Sequence, residues 1–135
     1  LVSIETYARV GAGIIESGES SDGKSQYQKF SDGTLRQWGW DYVTCSASAA
    51  YHTKNVTLPS PSPFVGEFDV LANTIGQVTV ASPTTRAQFV NNTGPLGWGR
   101  MVNSTTIQLV SRWVANYGGT NYQNGFSWEA IGRWK

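Results

Sequence analysis

Two short stretches of the 135-residue chain combine aromatic rings with hydrogen-bonding side chains on a backbone of small residues. In GPLGWGR, glycines flank Trp98 and leave its ring less shielded by neighbours, with Arg100 beside it. In YGGTNYQNG, Tyr117, Asn121, Tyr122 and Gln123 sit on a similarly bare backbone. Rings stack on the apolar faces of sugars while amides, hydroxyls and guanidinium groups bond the sugar hydroxyls, so these six residues form the candidate binding set. Two of the rings have a structural alternative: Trp98 as a plug of the core, and Tyr117 as the end of a core-facing row. In a simple meander successive loops alternate between the two ends, so the two stretches need not form one site.

Catalytic chemistry is thinly represented. A Ser/His/Asp triad would need the single His52, in YHTK, and no GxSxG nucleophile elbow occurs. Among the nine acidic residues, Glu16, Glu19 and Asp22 lie in a Gly/Ser-rich stretch and Asp32 in a tight turn. Asp41, Glu67, Asp69 and Glu129 remain for a pair of glycosidase-type carboxylates, and no spacing forces them together. GAG at 11–13 lacks the strand, helix and Lys of a phosphate cradle. One Cys45 and one His52 rule out an internal disulfide and a zinc set. No catalytic residue, metal or cofactor is therefore expected. The Asn-x-Ser/Thr triplets at Asn55, Asn91 and Asn103 carry no weight in a chain so rich in these residues.

Composition limits what can position the candidate residues. Apolar residues make up 39% and aromatic residues 13%, enough to build a core, while only 14% are charged and the net charge is +1, which argues against a nucleic-acid binder. The length fits one domain. Fifteen Gly and abundant Ser, Thr and Asn, with few strong helix formers, indicate an all-β chain. No apolar run approaches the roughly 18 residues that span a bilayer, and no signal-peptide pattern opens the chain, so no membrane insertion is expected. The chain starts at Leu1 and its only Met is Met101, so it reads as a piece of a longer polypeptide.

Residues 1–24 read as an N-terminal arm, apolar at first and then Gly-, Ser- and acid-rich. Val2, Ile4, Val10, Ile14 and Ile15 need a cover, supplied either by the same domain or by copies of themselves in an oligomer. From residue 25, SQYQKF, SDG and TLRQWGW predict a hairpin turning at Asp32-Gly33. DYVTCSASAA reads as a loop, 51–58 as a strand ended by PSPSP, and 65–71, 75–82 and 86–91 as short strands. Residues 91–104 read as a long loop and TTIQLVSRWVANYG as a strand covered on both sides, with Ile107, Leu109, Trp113 and Tyr117 facing one way and Val110 and Val114 the other. Residues 118–125 read as a second loop. The last strand alternates, with Phe126, Trp128, Ala130 and Trp134 inward and Ser127, Glu129 and Arg133 outward. The sum is an antiparallel β-sandwich or barrel-like domain of about eight short strands. Its surplus rings call for a subunit interface or a binding surface.

IIESG, then YQKFSDGTLRQWG, then VTLPSPSPF, and finally FSWEAIGRWK together resemble the C-terminal, receptor-binding domain of bacteriophage tail fibre proteins. The resemblance runs from about Ile14 to Lys135, is strongest at the two ends, and is one of general character alone between about Val70 and Gly125. It implies an intertwined homotrimer, with 1–24 as an arm from the fibre stalk and 25–135 as the β tip. It implies a virion protein that acts outside the cell. Its partner would be a receptor on the bacterial surface, lipopolysaccharide or another glycan, or an outer-membrane protein. Some fibre tips hold metal through His-x-His repeats, and this chain has no such motif. The competing readings are a purely structural trimerisation module, a polysaccharide-degrading enzyme, and a secreted lectin of cellular origin.

Overall fold

A computed structural model describes residues 13–45, 51–79, 96–112 and 122–135. Eight strands follow one another: β1 (Ile14–Glu19), β2 (Ser25–Phe30), β3 (Thr34–Cys45), β4 (Tyr51–Thr57), β5 (Asp69–Thr79), β6 (Leu96–Asn103), β7 (Thr106–Arg112) and β8 (Tyr122–Arg133). They form two sheets, a five-stranded one in the order β1-β2-β3-β8-β5 and a three-stranded one in the order β4-β7-β6, with every pairing antiparallel. The all-β expectation therefore matches the structure, with eight strands among the described residues.

The period-two alternation of a strand places one row of each sheet inward. On β3 that row is Leu35, Gln37, Asp41, Val43 and Cys45, and on β8 it is Asn124, Phe126, Trp128 and Ala130, all buried. The register sets these rows side by side, with Gln37 opposite Ala130 and Asp41 opposite Phe126. Ile107 and Leu109 of β7 and Val56 of β4 close the core from the second sheet. The stacked rings of Phe64 and Phe68, with centroids 4.0 Å apart, seal one end of it. The connection carrying them is fixed at several points: Ser60 N–H donates to the buried Gln37 Oε1 at 2.8 Å, Val65 N–H to Arg133 O at 2.8 Å, and Leu58 and Phe64 N–H to Thr105 and Ser104 O at 2.9 Å.

The two phrases that carry the fibre resemblance are neighbours in space. KFSDGTLRQWG holds the β2–β3 turn, where Gly33 takes φ +96°, a left-handed value that favours glycine, and where Asp32 Oδ1 accepts the Thr34 N–H at 2.8 Å. WEAIGRW of β8 pairs with β3 through this segment, Thr34 opposite Arg133 and Gly39 opposite Trp128. Trp134 then wraps the hairpin: its Nε1–H donates to Phe30 O at 3.0 Å, its backbone N–H donates to Gly33 O at 2.9 Å, and the Lys29 ammonium sits 5.1 Å from its ring centroid.

Several boundaries differ from the sequence reading. Asp41–Cys45, expected as a loop, continue β3 because β8 supplies ladder partners as far as Cys45 opposite Tyr122. Asp69–Thr79 is one strand where two short ones were expected, and residues 65–68 lie outside it. Part of the expected long loop, Leu96–Asn103, is β6. β7 buries Ile107 and Leu109 on one face and Val110 on the other, as expected of a strand covered on both sides, with Gln108 half-buried and Arg112 exposed on the second face. Within the 1–24 segment, Ile14–Glu19 forms β1, paired with β2. The strand expected at 86–91, the side chains of Trp113, Val114 and Tyr117, and residues 1–12 lie outside the described residues.

β1 is tied down by charge. The Tyr27 hydroxyl donates to Glu16 Oε1 at 2.9 Å and Lys29 Nζ donates to Glu16 Oε2 at 3.3 Å. The Tyr27 bond, then Lys29, holds the Glu16 carboxyl below its ordinary range. Asp22 is lowered by the Ser20 hydroxyl and the Lys24 amide, and Asp32 by its bonds to Thr34. A carboxylate lowered in the fold contributes stability above its unfolded-state pKa and loses it as pH falls through the folded value. The denaturant midpoint should therefore be flat near neutrality and decline on acidification below the ordinary carboxylate range. Glu16→Gln should lower the neutral plateau and lessen the acid decline, and a variant with an unchanged pH profile would contradict this assignment.

Candidate functional site

The outward row of the three-stranded sheet gathers the rings and polar groups that the sequence reading sought in loops. The register aligns Tyr51 with Arg112, Thr53 with Val110 and Asn55 with Gln108 on one side of β7, and Trp98 with Val110 and Arg100 with Gln108 on the other. Trp98 and Tyr51, on the two edge strands, meet edge to face, with centroids 6.2 Å apart and an interplanar angle of 75°. They remain 42% and 53% exposed, so each ring keeps a large accessible area. The Arg112 guanidinium lies 5.7 Å from the Tyr51 centroid. Beside the rings a polar relay crosses the sheet: Arg100 Nε–H donates to Gln108 Oε1 at 2.8 Å, and Gln108 Nε2–H donates to Asn55 Oδ1 at 3.1 Å. The relay fixes the amide orientations and holds the guanidinium at the surface.

β6 presents this face because its backbone lies almost in contact with the core. A Cβ on Gly97 would strike the Phe126 ring and come within 3.0 Å of Thr74 Cγ2, and one on Gly99 would lie 2.8 Å from Val70 Cγ1 and 3.0 Å from Ala72 Cβ. The glycines flanking Trp98 thus serve close sheet packing as well as ring exposure. Trp98 is no core plug.

Four of the six candidate residues fall within the described residues, two on each sheet. Trp98 and Arg100 share the face just described, whereas Tyr122 and Gln123 open β8 in the other sheet, opposite Cys45 and Thr44. Tyr117 and Asn121 lie outside the described residues. Tyr51, Asn55, Gln108 and Arg112 went unnoticed as site residues. The signal available for them was parity, Tyr-x-Thr-x-Asn-x-Thr over 51–57 and Thr-x-Gln-x-Val-x-Arg over 106–112.

The carboxylates considered for hydrolysis have other partners. Asp41 Oδ1 accepts from Lys54 Nζ at 2.7 Å and from the Tyr42 N–H at 2.8 Å, and Glu129 Oε1 accepts from Arg36 Nε at 2.7 Å. Glu67 and Asp69 are exposed.

A second concavity lies where β2 stops and β3 runs on. It measures about 320 Å³ and is lined by the β1–β2 turn, Trp40 and Asp41 of β3, residues 55–59 and Trp128. The Trp128 indole N–H is buried and has no hydrogen-bond partner among the described residues, a state that costs about 1–3 kcal/mol when nothing accepts the bond.

No protein-family model and no curated protein sequence matches the chain. Solved structures do. The N-truncated R1-type pyocin tail fibre aligns over 95% of this chain and 93% of its own, at 17% identity and a TM-score of 0.50. The fold is similar to that of pyocin tail fibres. The C-terminal fragment of the P. aeruginosa R1 pyocin fibre aligns over 94% of this chain at 17% identity and a TM-score of 0.50, and that of the P. aeruginosa R2 pyocin fibre over 95% at 24% and 0.49. This chain spans 30% and 28% of those two longer pyocin fragments.

Proposed function

We propose that this chain is the receptor-binding end of a phage-type tail fibre, a non-catalytic homotrimer that adsorbs to a glycan on the bacterial surface. The observation that carries the reading is the Trp98–Tyr51 platform, with Arg112 and the Arg100–Gln108–Asn55 relay beside it, on a fold similar to that of pyocin fibres. Exposed rings flanked by donors and acceptors of fixed orientation suit a sugar, which offers apolar C–H faces and many hydroxyls. The ion-paired state of Asp41 and Glu129 supports binding without hydrolysis.

Assembly is supported by the opposite surface. On the outward row of the five-stranded sheet Leu71 of β5 and Ile131 of β8 are exposed as near neighbours, an apolar display that calls for a cover. Copies of the chain would cover this face, leaving the three-stranded sheet to point outward. The same surface is what a purely structural trimerisation module requires, so the two readings part on binding. The solution mass by light scattering, followed by a pull-down on whole bacterial envelopes, tests both. A mass of three chains with envelope capture is the expected result, a trimer that captures no envelope would leave the structural module, and a stable monomer would overturn the assembly.

A further inference from the structure

We infer that the crevice beside Trp128 is a second saccharide subsite, taking one uncharged sugar ring of a glycan whose neighbouring residues lie on the Trp98 platform; this deepens the receptor reading and rests on it. Three observations support a ligand there. The volume, about 320 Å³, stands at the small end of the range for small-molecule sites, room for one ring and not for a chain. Its lining includes two indoles, Trp40 at 43% exposure and the almost fully buried Trp128, together with polar side chains. The Trp128 N–H has no acceptor among the described residues and is closed off from solvent, so a sugar hydroxyl takes the bond only if the indole shifts as the sugar seats.

Charge defines the class of sugar. Asp41 is balanced by Lys54 at 2.7 Å and Lys24 at 3.8 Å, while Asp22 accepts the Ser20 hydroxyl at 2.6 Å and the Lys24 N–H at 3.0 Å. Two carboxylates and two ammonium groups leave no surplus of either sign, so an ionised sugar would bring an unpaired charge into the crevice. Asn55 supplies the continuity. It lines the crevice, and its Oδ1 is the end of the relay from Arg100 on the platform, so a glycan seated on Trp98 and Tyr51 passes over the β4 edge into the crevice.

The test follows the indole N–H resonances of the ¹⁵N-labelled chain, assigned with Trp128→Phe, Trp40→Phe and Trp98→Phe. The titrants are glucose, galactose, rhamnose and N-acetylglucosamine, with glucuronate as the charged comparison. At least one neutral sugar should shift the Trp128 and Trp40 signals while glucuronate leaves them in place. Ser21→Phe, at an exposed turn position on the crevice rim, should abolish those shifts and leave those of Trp98 intact. Sugars that move Trp98 alone would overturn the crevice and spare the platform. Equal response to glucuronate would overturn the neutral class. A trimer that captures envelopes while no sugar moves the Trp128 signal overturns the crevice alone, and failure of envelope capture overturns the receptor reading itself.

Discussion

Phe126→Ala lowers the stability of this chain by about 3–5 kcal/mol, the usual range for emptying a ring from a core. Phe126 is fully buried, and it is the residue against which the second sheet is set, since its ring lies where a Cβ on Gly97 of β6 would go. The loss is large beside a total of about 5–15 kcal/mol for a domain of this kind. The contact also predicts a coupling. Gly97→Ala alone should destabilise by about 1–3 kcal/mol through overpacking. Combined with Phe126→Leu, which withdraws the ring, it should cost less than the sum of the two single changes. Denaturant midpoints for the four members of the cycle measure this, and strict additivity would show that β6 and β8 do not meet as described.

On the proposed receptor role, Trp98→Ala should remove most envelope capture while leaving the fold in place. The ring is half exposed, so its loss opens no core cavity. At the surface it leaves Tyr51 without its edge-to-face partner and removes the larger stacking area. Ring stacking on nucleobases, the nearest measured analogue, contributes about 1–3 kcal/mol per ring, which corresponds to a loss of about five- to 150-fold per site. In the proposed homotrimer three sites would multiply that loss, so capture by avidity should fall well below threshold. Dissociation of fluorescent chain from whole envelopes, with the thermal midpoint of the variant as a fold control, gives the readout. Undiminished capture by a folded Trp98→Ala, Arg112→Ala double variant would remove the platform from the receptor site.

The sequence made local features legible and left those that depend on distant neighbours hidden. The Asp32-Gly33 hairpin and the alternation of Phe126, Trp128 and Ala130 could be read because turn chemistry and period-two burial are written into adjacent residues. Gly97 and Gly99 read as loop breakers, yet their small size answers to Phe126, Val70 and Ala72, which no local pattern connects to them. Asp41–Cys45 read as loop because they run into the small, polar Ser46–Ala50, although Tyr42, Val43 and Thr44 are strand formers, and the ladder that makes them a strand comes from β8. Trp98 and Arg100 could be singled out as a ring and a cation in one stretch. Tyr51, Arg112, Gln108 and Asn55 join them only through the order β4-β7-β6, which follows from packing and not from adjacency in the chain.

β8, the last of the eight strands, lies between β3 and β5. During synthesis β3 and β5 therefore emerge with open edges and wait for a partner made much later; Arg36 and Glu129, which end up bonded, are 93 residues apart. Long-range pairing of this kind places folding in the slow range, milliseconds to seconds, during which the open edges can pair with other chains. Wherever many copies are made side by side, as fibre subunits would be, the yield of correct assemblies is then a contest between the arrival of β8 and edge-to-edge association. Lowering the rate of synthesis or the temperature should favour the folded product.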